Sequence, residues 1–150
     1  MKFVRIPERR IEEWWKGLET ARRYSLKLKE ALGRVSVLLH GSYARGDFNL
    51  WSDIDLIVVS ERFEGLRPLD RYELLPDYPP RVEPLLVTPQ EFEEMLGKPA
   101  WRQALDRGVI LVVDEHGIAV RLREAGLRRV YGLEEVIEKL REIRGGLRSG

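Results

Sequence analysis

Two aspartates one residue apart, Asp53 and Asp55, open the apolar run of SDIDLIVVS, and a Gly41-Ser42 pair stands upstream at the end of another apolar run. Side chains alternate along a strand, so Asp53 and Asp55 face one side and Ile54 the other. Two carboxylates held that close resist joint ionisation. A hard divalent ion such as Mg²⁺ relieves the repulsion, keeps some of its waters and completes its shell with substrate phosphates. Gly41 lets backbone approach a ligand closely, and Ser42 adds a hydroxyl. Residues 42–45 can open a short helix whose first N–H groups face an anion. Arg45 adds a planar cationic fork suited to phosphate. Phosphate donors and metal ligands thus flank one loop, a pattern that suits phosphoryl or nucleotidyl transfer. Taken singly, the aspartates could be ordinary acids at a strand start and Arg45 a surface cation.

The elements around the loop must bring these groups together. Val35–Leu39 reads as a first strand and Asp53–Val59 as a second. So short a connection makes them antiparallel neighbours, which sets Ser42 near Asp53 and Asp55. Val82–Thr88 reads as a third strand with Glu83 at its start. If it runs parallel to the second, Glu83 reaches the same end of the sheet as the aspartates. Pro84 removes a ladder donor and points to an edge or a strand start.

The combination resembles the nucleotidyltransferase superfamily of DNA polymerase beta type, and most closely its small, minimal members. The matching residues are Gly41-Ser42, Ala44-Arg45-Gly46 and Ser52-Asp53-Ile54-Asp55-Leu56. Neither the Gly-Ser pair nor the Asp-x-Asp would be specific alone; together between two apolar strands they are. The family carries a third acid where Glu83 stands, more often Asp than Glu. The resemblance assigns Asp53, Asp55 and Glu83 as catalytic and metal-binding, and Gly41, Ser42 and Arg45 as nucleotide-binding. Asp70 and Asp77 are the rival third acids. His40, Tyr43 and Trp51 flank the site. The histidine suits packing better than catalysis, and either aromatic could stack on a base or shield the core.

The rest of the chain supplies helices. Ile11, Trp14, Trp15, Leu18, Ala21, Ser25, Leu28 and Leu32 recur at helical spacing over residues 8–32. Trp14 and Trp15 are adjacent, so both cannot point fully inward; core packing and a partner-binding patch are the two readings. Residues 61–75 hold a weak helical pattern interrupted by Gly65 and Pro68. Thr88-Pro89-Gln90-Glu91 has the spacing of a capping box with proline at the first helical position. Further helices are expected over 100–107, 118–123 and 133–143, a fourth strand over 109–113, and a frayed tail in GGLRSG.

Composition sets bounds. The 150 residues suit one domain, here a single nucleotidyltransferase domain over 1–150. Lys plus Arg is 26 against 25 Asp plus Glu, a balance without general attraction for nucleic acid or anionic membrane. There are no cysteines, which excludes disulfides, thiolate metal sites and cysteine nucleophiles. The start MKFVRIPERR lacks a secretory apolar region, and no apolar run reaches the ~18 residues of a membrane span. A cytoplasmic location is expected.

The expected fold is α+β, a two-layer arrangement in which a small mixed sheet packs against helices. The resemblance implies a Mg²⁺-dependent transfer, with one or two ions, of a nucleoside monophosphate from an NTP, ATP above all, to a hydroxyl. Small members of the family often accompany a helical HEPN-type protein as antitoxin, which makes a hydroxyl on such a partner the leading acceptor. A non-catalytic module that neutralises or scaffolds that partner, and a transferase acting on a small molecule such as an aminoglycoside, are the alternatives. Assembly of copies through the Trp14-Trp15 helix is left open.

Overall fold

The computed structural model describes residues 7–149, and side chains as far as residue 146. Residues 1–6, part of the start read as lacking a signal region, lie outside the described residues. Helix α1 spans Glu8–Leu32, as the spacing predicts. Pro7 stands at its N-cap, and Gly33, at φ 77°, ends it by donating its N–H to the Lys29 carbonyl. The buried stripe runs from Ile11 and Trp14 through Leu18, Ala21 and Leu28 to Leu32.

The strands are β1 (Ser36–His40), β2 (Ile54–Val59), β3 (Val82–Val87), β4 (Val109–Asp114) and β5 (Val130–Gly132). They form one mixed sheet in the order β3-β2-β1-β4-β5. β1 lies antiparallel between β2 and β4, while β2–β3 and β4–β5 are parallel pairs. β3 is an edge, where the missing N–H of Pro84 is tolerated.

The mixed α/β class and the mixed sheet stand, but helices pack on both faces of the sheet, so a second helical layer is added to the two layers expected. Val37, Leu39, Leu56, Val58 and Ile110 face a core shared with α1 and α6 (Leu133–Ser149). Leu38, Ile57, Val59 and Leu111 face a second core shared with α3 (Pro89–Leu96), α4 (Pro99–Asp106) and α5 (Ile118–Glu124). Strands covered on both sides read as continuous apolar runs, which explains LIVV and VILVV.

Some boundaries differ from expectation. The weak pattern over 61–75 resolves into two 3₁₀ segments, Glu61–Phe63 and Pro68–Leu74, with Gly65 between them at φ 79°. β5 has only three residues, too few to show a period. α6 continues through the Gly145-Gly146 pair where a frayed tail was expected. Trp14 is 1% exposed, and Trp15 packs on the core with the Arg144 guanidinium 4.1 Å from its ring centroid, so the pair is not an open partner patch.

Candidate active site

The sheet register aligns three residues at one end. His40 of β1 is opposite Asp55 of β2, and Asp55 is level with Glu83 of β3. The parallel run of β2 and β3 is therefore met, and Glu83 stands at the sheet end that the sequence assigned to it. Laterally paired residues share a face of the sheet, here the face covered by α4. Trp101 of α4 meets the His40 ring edge-on at 5.9 Å between centroids. Asp53 falls one residue before β2 and is exposed.

The turn after β1 is built tightly against this row. Gly41 has φ 74° and ψ −156°, a conformation essentially confined to glycine. A Cβ at Gly41 would collide with Asp55 Oδ2. The short helix α2, Ser42–Arg45, follows, with the Gly41 carbonyl accepting from the N–H groups of Ala44 and Arg45 at 3.1 and 3.2 Å. Gly46, in the left-handed region at φ 81°, ends it.

α1 holds α2 in place. Trp14 Nε1 donates to the Tyr43 carbonyl at 2.6 Å. Gly17 leaves room for the Tyr43 ring, which a Cβ would overlap. Tyr43 is buried, stacks on Phe48 at 4.3 Å, and its hydroxyl accepts from Arg81. It therefore shields the core, the second of its two expected roles. Trp51 is 89% exposed.

The electrostatics couple these groups. Burial, then the neighbouring Asp53 and Glu83 charges, push the Asp55 carboxyl above its ordinary range, and Arg45 opposes them. His40 is pushed down to about 4 by burial and by Arg45, so its imidazole is neutral near pH 7. Arg45 donates from Nε to Asp47 Oδ2 at 3.0 Å while its charge acts on both His40 and Asp55.

Among the described residues, no three His, Cys, Asp or Glu side chains converge tightly enough to form a metal cluster. The expected metal set of Asp53, Asp55 and Glu83 thus shares a sheet end and an electrostatic field without a closed cage. The donor chemistry fits a hard divalent ion: carboxylate oxygens only, with mutual repulsion that a cation would relieve. Of the rival third acids, Asp70 is paired with Arg67 at 2.9 Å, and neither it nor Asp77 lies on a strand of the sheet. Trp101 and Arg81 were not legible as neighbours of the site. Both come from elements distant in sequence, and neither belongs to a local motif.

A family model described as "Nucleotidyltransferase domain" matches residues 21–144. This chain belongs to the nucleotidyltransferase domain family. It is 35% identical over 75 residues to a protein of Methanocaldococcus jannaschii named "Putative protein adenylyltransferase". That match covers 43% of this chain and 50% of the relative, so the chain spans about half the length of the curated relative it matches. The crystal structure of a "putative nucleotidyltransferase" from Sulfolobus solfataricus shares the fold of this nucleotidyltransferase-family chain. The TM-score is 0.54 at 21% identity, over 62% of this chain and 85% of that one. No helix among the described residues is long and apolar enough to cross a membrane.

Proposed function

We propose that the chain transfers AMP from ATP to a hydroxyl on a partner protein. The observation that carries the reading is the alignment of Asp55 with Glu83 at the sheet end where Gly41 abuts Asp55. Asp53 and Asp55, with Glu83, would hold Mg²⁺. When bound, the ion would neutralise charge on the triphosphate and lower the cost of bringing an acceptor oxygen to it. Ser42 and the Gly41-Ser42 backbone would steady the phosphates that leave, with Arg45 adding positive charge beside them. Glu83, level with Asp55 on the neighbouring strand, would take the acceptor proton. The acceptor O–Pα bond forms as the bond from Pα to the pyrophosphate oxygen breaks, and pyrophosphate departs.

A protein acceptor is supported by the name of the M. jannaschii relative, a protein adenylyltransferase. A HEPN-type partner, with this chain as its antitoxin, is the specific form the family resemblance suggests. The decisive experiment incubates the protein with α-labelled ATP, Mg²⁺ and the protein encoded beside it. The expected result is label on a partner hydroxyl, absent with Asp53→Asn. Absence of transfer by a folded protein that binds Mg²⁺ and ATP would overturn the enzymatic reading. Inhibition of the partner that survives Asp55→Ala would favour the non-catalytic module.

A further inference from the structure

Beside the site, on the other side of the motif loop, a groove of about 380 Å³ opens between the start of α1 and residues 48–50. Its lining includes Arg9, Arg10 and Arg81, the aromatic pair Tyr43–Phe48, and Leu50. We propose that this groove docks an acidic, leucine-bearing polypeptide segment of the acceptor protein. The inference rests on the reading of the acceptor as a protein.

Charge complementarity carries the choice of occupant. Three guanidiniums line the groove against one carboxylate, Glu13, which already meets Lys16 at 3.4 Å. None of Arg9, Arg10 and Arg81 has a carboxylate partner among the described residues. Arg10 donates to the Phe48 carbonyl at 2.6 Å and lies over the Phe48 ring, and Arg81 donates to the Tyr43 hydroxyl and to the Ser52 carbonyl. Both guanidiniums are thus held in place without being neutralised.

The loop also displays apolar surface on a fixed frame. Leu50 is 70% exposed and Trp51 is 89% exposed. The backbone beneath them is closed by Asn49 Oδ1, which accepts from the Trp51 N–H at 2.8 Å, and by Ser52 Oγ, which accepts from the Asn49 N–H at 2.9 Å. A loop whose backbone is already fixed before binding has less entropy to lose on contact. An aliphatic anchor suits a polypeptide. The Tyr43 and Phe48 rings are buried against each other, so within the groove they offer a nucleobase no open face; the exposed Trp51 ring lies outside the groove lining, and the RNA control tests it.

The groove is contiguous with the proposed chemistry. Tyr43 follows Ser42, Ser52 precedes Asp53, and the Arg81 carbonyl accepts from the Ile54 N–H at 2.7 Å, two residues before Glu83. A segment seated here can carry a hydroxyl over the loop to the acids.

The test measures fluorescence anisotropy with a labelled peptide of alternating glutamate and leucine around one serine. Controls are the same peptide with lysine for glutamate, and a labelled oligoadenylate RNA. The 150-residue chain should bind the acidic peptide and not the lysine one. Arg9→Glu or Leu50→Ser should each weaken binding by about tenfold while ATP affinity is unchanged. Equal binding of both peptides, or no effect of either substitution, would overturn the proposal. So would groove-dependent binding of the RNA alone, or self-association in sedimentation that Leu50→Ser abolishes, which would make a second copy the occupant. Asp53→Asn separates the two readings: it should keep peptide binding while abolishing transfer. Peptide binding with no transfer by the wild type would leave the docking surface standing and remove the enzyme.

Discussion

Gly41 and Asp55 are in contact across the β1–β2 pair, with no room for a Cβ between them. The turn that would cradle phosphate and the carboxylate that would hold metal are therefore one packed unit. Gly41→Ala should destabilise the fold by ~1–3 kcal/mol from backbone strain alone. It should also displace the Asp55 carboxylate. Urea unfolding checks the first effect and loss of Mg²⁺-dependent thermal stabilisation checks the second.

Asp55 holds its proton to a higher pH in the folded chain than in the unfolded one, because of burial, then Asp53, then Glu83. The folded state binds more protons in that interval, so stability falls as pH rises through it. In metal-free buffer near pH 7, Asp55→Asn should therefore raise the melting temperature while abolishing transfer. Mg²⁺ should raise the melting temperature of the wild type and leave that of Asp55→Asn nearly unchanged. A variant less stable than wild type in metal-free buffer would contradict the electrostatic argument.

Arg71 ties the 3₁₀ segment at Pro68–Leu74 to the start of α3. Its guanidinium is buried, donates to Glu91 at 2.6 and 3.2 Å, and also donates to the Leu86 and Leu66 carbonyls. Arg71→Met should cost about 1–3 kcal/mol by leaving carbonyls unpaired. The hydrogen bond from Arg71, and after it the backbone bond from Thr88, hold the Glu91 carboxyl below its ordinary range. That stability is present above the unfolded value and lost as pH falls through the folded one. Glu91→Gln should flatten the acid limb of a stability–pH curve below about 4.5.

His40, at about 4, is neutral over the range in which activity would be measured. A histidine acting as general base would impose an inflection near its titration. His40→Gln should therefore leave the shape of the pH–rate profile between pH 6 and 8, about where an ordinary histidine titrates, unchanged. A lost inflection there would assign the imidazole a proton-transfer role.

Trp14 anchors α2 from the opposite face of the sheet through the Tyr43 carbonyl. Trp14→Phe should cost about 1–3 kcal/mol by orphaning that buried acceptor. If the anchor positions the Gly-Ser turn, KM for ATP should rise more than kcat falls. Unchanged kinetics with the stability loss would confine Trp14 to packing.

Residue types and local spacing are enough to give the family, the long first helix, the capping box at Thr88 and the positions of the Gly-Ser and Asp-x-Asp pairs. Each depends on spacing within a few neighbouring residues. Thr88 Oγ1 accepts from the Glu91 N–H and the Glu91 carboxylate accepts from the Thr88 N–H, as a box of that spacing requires. Relationships between residues far apart in the chain come from the packed fold. It made β3 parallel to β2, so that Glu83 is level with Asp55. It turned Tyr43 inward under Trp14, set Trp101 against His40, and buried Arg71. Local periodicity reports which face a side chain takes on its own element. It carries no record of which other element lies across from it, because that is fixed by the joint packing of the two cores on either side of the sheet.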